Sequence, residues 1–111
     1  MQTLHFAALS LIGLDRIVSA LESTYGLGPF DCDVEDSWEY ATARLPSGTT
    51  LNITRTTDTS TIASWIPSAP SCVNWQIIVS SSSDLTDEDV STARQALEHV
   101  LGTSLVPYHA A

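Results

Sequence analysis

The chain has 111 residues, 43% of them hydrophobic, with 13 Asp and Glu against four Arg, no Lys and a formal net charge of −9. That length suits one domain, residues 1–111, with one core, and is too short for two. The acidic balance argues against direct binding of nucleic acid, whose phosphates are held by cationic side chains, and against an anionic membrane surface.

Residues 3–9 are apolar enough for a buried strand, with His5 and Ser10 as its polar breaks. The apolar stretch 4–14 has no Lys or Arg before it, and Asp15-Arg16 interrupts it ahead of Val18-Ser19-Ala20, which only loosely resembles a signal-peptidase site. It is also shorter than the roughly 20 apolar residues a bilayer span needs. A cytoplasmic protein is therefore expected, with Cys32 and Cys72 reduced, since two cysteines make no disulfide framework.

Leu14, Ile17, Val18, Leu21 and Tyr25 then recur at helical spacing and predict one buried face of an amphipathic helix. Gly26-Leu27-Gly28-Pro29 ends it, because glycine supplies the left-handed exit and proline forbids continuation. After an acidic stretch, residues 38–45 alternate, Pro46-Ser47-Gly48 supplies turn chemistry, and Leu51 and Ile53 share a face within 50–57. This pattern is a β-hairpin. Residues 62–66 read as a further short strand, and Val73, Trp75, Ile77 and Val79 as one face of a longer one, central because Ile78 is apolar as well.

Thr86 and Asp89 approximate a capping box, and Asp87 and Glu88 fall where a helix dipole favours negative charge. Val90, Ala93, Leu97, Val100 and Leu101 form the stripe of this second helix, which Gly102 closes. Residues 104–108 are a candidate edge strand, interrupted by Pro107. The expected fold is α+β, in the order β-α-β-β-β-β-α: a mostly antiparallel sheet of about five strands with two helices packed on one face and a further edge strand if 104–108 joins it.

The functional lead is the segment 31–39, Asp-Cys-Asp-Val-Glu-Asp-Ser-Trp-Glu, which holds five carboxylates and a tryptophan in nine positions. Two readings are open. Asp31, Asp33, Glu35, Asp36, Trp38 and Glu39 form a partner-binding surface in which carboxylates focus negative potential and Trp38 is an anchor. Alternatively, the segment is a solvated loop leading into a strand, with Trp38 turned into the core. By alternation from Trp38, Glu39 points outward and extends the acidic patch in either case.

Other chemistry finds no support. Asp31, Asp33 and Glu35 mimic the start of an EF-hand loop, but Asp36 and Thr42 stand where its glycine and bidentate glutamate belong. Asp31 and Asp33 would raise the thiol pKa of Cys32 and disfavour a nucleophile. The three histidines and two cysteines lack zinc spacing, and Gly26-Leu27-Gly28-Pro29 follows a helix instead of opening one, so no metal or nucleotide cofactor is expected. His99 reads as a surface or boundary residue of the second helix. Arg44 and Arg55 lie on the two hairpin strands, where pairs across the strands or with nearby carboxylates would contribute little.

A small, lysine-free, acidic α+β chain with the segment 31–39 and the Trp-Ile-Pro-Ser-Ala-Pro stretch 65–70 resembles the bacterial immunity proteins of contact-dependent growth inhibition and related polymorphic toxin systems. The resemblance spans the whole chain in size, charge and architecture, and no diagnostic motif carries it. It implies a non-enzymatic protein that binds a basic, nuclease-type toxin domain in a 1:1 complex and occludes its active site by charge complementarity. Two other binding roles fit the same features: a type III-class secretion chaperone holding an effector segment, and an inhibitor of a defence system that mimics nucleic acid. A small enzyme using Asp or Glu chemistry is the remaining class, to be revealed by a pH-dependent activity.

Overall fold

A computed structural model describes residues 2–35, 38–45, 48–56, 73–81 and 87–108, the side chain of Asp87 excepted. Along them run β1 (Gln2–Ala8), α1 (Leu14–Thr24), β2 (Asp31–Glu35), β3 (Trp38–Arg44), β4 (Thr50–Thr56), β5 (Trp75–Ser81), α2 (Asp87–Leu101) and β6 (Val106–Tyr108). The strands form one six-stranded sheet in the order β2-β3-β4-β5-β1-β6, and every neighbouring pair is antiparallel. The fold is thus α+β, as the periodicities predict, with β5 central between β4 and β1.

Alternation sorts the strand residues into two layers. Phe6, Ala8, Ala41, Leu51, Ile53, Trp75, Ile77 and Val79 share one face and pack with Leu14, Ile17, Val18 and Leu21 of α1 and with Ala96, Leu97 and Leu101 of α2. Both helices therefore cover the same face, and each fully buried Leu or Ile there contributes about 1.5–3 kcal/mol of hydrophobic stabilisation. On the other face Ala7, Trp38, Val73 and Tyr108 make a smaller cluster, with Tyr40 packed against it. No helix among the described residues is long and apolar enough to cross a membrane.

The first helix departs from its predicted stripe at one residue. Tyr25 is not part of the buried face: it is the C-cap, 37% exposed, because the helix stops at Thr24 before the stripe completes another turn. Gly26 then takes φ 65°, the left-handed conformation that glycine adopts without a Cβ clash, and the Leu27 N–H donates to the Leu21 carbonyl. A larger departure concerns the acidic stretch, which is not a loop: residues 31–35 are strand β2, hydrogen-bonded to β3. The strand expected over 62–66, Trp65, the Pro46-Ser47 turn residues, Cys72 and the Thr86 cap lie outside the described residues.

One buried polar clamp fixes the β1–α1 connection to β5. The Ser10 N–H donates to Asn74 Oδ1 at 2.9 Å, Asn74 Nδ2 donates to the Ser10 carbonyl at 2.7 Å, and Trp75 Nε1 donates to the same carbonyl at 3.1 Å. Ser10 Oγ in turn donates to the Leu101 carbonyl at 2.9 Å, tying in the end of α2. Asn74→Ala leaves the Ser10 N–H buried without an acceptor, and a urea titration is expected to show a loss of about 2–3 kcal/mol at unchanged m.

Candidate functional site

The candidate site is the outer strand β2. Its pairing register sets Asp31 opposite Thr42, Asp33 opposite Tyr40 and Glu35 opposite Trp38, while Cys32 and Val34 lie opposite Ala41 and Glu39. Directly opposed residues share a face, so Asp31, Asp33 and Glu35 form a straight row on the side of the sheet away from the helices, beside Thr42, Tyr40 and Trp38. All five β2 residues are exposed. An extended strand spaces alternate side chains about 7 Å apart.

Glu39 does not extend this row. It shares its face with Val34 and Arg55, on the helix side, and its Oε1 accepts from Arg55 Nη1 at 2.8 Å. The reason is register: β2 and β3 pair odd with even residue numbers, so the row lines up with Trp38 and Tyr40 and excludes the residue between them. Arg55 also lies over the Trp75 ring, 5.9 Å from its centroid, which ties this ion pair to the core. Arg44 lies opposite Thr50, whereas Arg55 lies directly opposite Glu39.

The structure therefore brings three of the six candidate residues into one row. Asp36 lies outside the described residues. Trp38 is only 8% exposed, packed in the second-face cluster with its ring stacked on Tyr40 at a centroid distance of 6.4 Å, so its ring serves packing more than contact. Tyr40, half-buried and directly opposite Asp33, is the aromatic group beside the row that was not among the candidate residues. Its alternation with Trp38 puts both rings on one face of β3, and the register with β2 brings the acidic row to that face.

The row carries no internal counter-charge. Among the described residues, Arg55 is engaged by Glu39 and Arg94 by Glu98, and neither Arg16 nor Arg44 forms an ion pair. Asp33 Oδ1 accepts from the Val34 N–H at 2.8 Å, and Glu22 of α1 accepts from the Phe30 N–H at 2.9 Å. The three side chains of the row are otherwise exposed to solvent. The row cannot gather around one calcium ion, which takes its oxygen ligands at about 2.3–2.6 Å, because the pleat holds its members apart. Among the described residues no group of three or more His, Cys, Asp or Glu is placed to hold a metal.

Cys32, a free thiol on the other side of β2, has its pKa raised by partial desolvation and then by the charges of Glu22 and Asp31. A raised thiol pKa means less thiolate at pH 8. Iodoacetamide is expected to label Cys32 more slowly in the folded protein than in the urea-unfolded chain at that pH, as read by peptide mapping, and Glu22→Gln is expected to speed the folded-state reaction.

No protein-family model matches the chain, and no curated protein or solved structure matches it.

Proposed function

We propose that this chain is a binding protein that docks a basic protein surface through Asp31, Asp33 and Glu35, and that the partner is a nuclease toxin domain, which it neutralises in the cytoplasm as a 1:1 complex. The observation that carries this reading is the β2 row: three exposed carboxylates in line on an outer strand, with no cationic partner among the described residues. Their spacing of about 7 Å resembles that of successive phosphates along a nucleic-acid strand. A nuclease cleft built to hold phosphates accepts such a row, and a net charge of −9 steers the encounter. Occlusion of the cleft needs no catalytic group on the inhibitor.

Affinity purification of the tagged chain from its native cell tests the proposal. One basic, nuclease-like domain recovered in equimolar amount supports it. Recovery of an unfolded effector segment would mark a secretion chaperone instead, and recovery of no stoichiometric protein partner would overturn the docking role.

A further inference from the structure

A second site lies on the helical layer, between residues of the two helices. Arg16, Ala20 and Tyr25 from α1 and its C-cap, with His99 and Val100 of α2 and Ile12 of the preceding turn, line a cleft of about 280 Å³. The small side chain of Ala20 opens the gap. Its apolar members are Ile12, Ala20 and Val100, while Arg16, Thr24, His99 and Tyr25 bring polar groups to it, the Tyr25 and His99 rings meeting edge to face at 6.1 Å.

In a chain with more than three acidic residues for each arginine, no Asp or Glu is among the residues lining this cleft. Asp15 lines a neighbouring groove along α1 that Arg16 and Ala20 border as well, and forms no ion pair with Arg16. The Arg16 guanidinium has no hydrogen bond or ion pair among the described residues, and the helix positions three and four away from it hold Gly13, Ile12, Ser19 and Ala20, none of them a carboxylate. A planar guanidinium presents paired donors that fit a carboxylate, and an apolar floor beside it suits a short hydrocarbon body.

We propose that this cleft binds a small organic carboxylate with a short apolar body, Arg16 holding the carboxylate, His99 and Tyr25 flanking it, and Ile12, Ala20 and Val100 receiving the body. The site is independent of the β2 row. At physiological ionic strength the Debye length is about 8 Å, so remote carboxylates are screened and the local guanidinium dominates.

The test is a titration of the full ¹⁵N-labelled chain with benzoate, followed by amide shifts in NMR spectra. Saturable shifts confined to the amides around Ile12, Arg16, Ala20 and Val100 are expected, with affinity falling about tenfold in Arg16→Gln. Ala20→Leu, which fills the gap with a good helix former, is expected to abolish them. Benzamide binding as tightly as benzoate would overturn carboxylate recognition, sulfate producing the same shifts would reduce the site to general anion attraction, and the absence of saturable shifts would remove it.

Discussion

Exchanging Asp31, Asp33 and Glu35 together for Asn, Asn and Gln is expected to weaken the complex with the co-purified basic partner about 100-fold and to flatten its dependence on salt. Exposed ion pairs contribute about 0–1 kcal/mol each, whereas charge pairs desolvated in an interface couple by about 1.5 kcal/mol or more, and three at roughly 1 kcal/mol make two decades in Kd. The association rate falls most, because the row works on the approaching partner before contact. The substitutions keep side-chain size, and the three residues face solvent, so the fold is expected to persist with an unchanged unfolding midpoint. Glu39→Gln is the matched control. It removes one negative charge from the same segment, but on the other face, where it turns the charged 2.8 Å bond from Arg55 above Trp75 into one to a neutral acceptor. Its effect is expected in stability, with affinity within about twofold of the parent. Equal binding of the parent and the triple variant, measured by calorimetry at low and high salt, would exclude the row as the docking surface.

The largest effect on stability is expected for Trp75→Ala, about 3–5 kcal/mol. Trp75 is fully buried in the central strand, packs in the main cluster, donates from Nε1 to the Ser10 carbonyl and supports the Arg55 guanidinium. Against a total of about 5–15 kcal/mol for a domain of this kind, the loss brings the chain near its unfolding threshold. Trp75→Phe separates the contributions, since it retains most of the packing and removes the donor, for an expected cost of about 1–2 kcal/mol. Guanidinium titrations of both variants decide it: similar midpoints would mean that the hydrogen bond, and not the ring volume, holds this part of the core.

The sequence displays the hairpin and the first helix clearly because their apolar residues keep a single period. Leu14, Ile17, Val18 and Leu21 recur at helical spacing and are buried, and Leu51 and Ile53 alternate and are buried. β2 was hidden by residue type, not by pattern. Asp31, Cys32, Asp33, Val34 and Glu35 do alternate polar with apolar, but aspartate and glutamate disfavour strands, so charge density suggested a loop. Which face Glu39 occupies relative to the row depends on the register between two strands, and that is set across the sheet by packing, beyond the reach of spacing within either segment. The cleft at Arg16 is invisible for a similar reason: its walls are 74 or more positions apart in sequence, and only the docking of α2 beside α1 brings His99 to Tyr25.

The position of β2 also governs how the molecule treats its own kind. Outer strands invite copies of a chain to stack ladder on ladder and grow into aggregates. Here, two copies meeting along β2 would set six carboxylates against one another, and the Val34 amide that a second ladder would seek is already taken by Asp33. Along this edge the charges that would attract a basic surface are the same ones that repel a second copy of the strand.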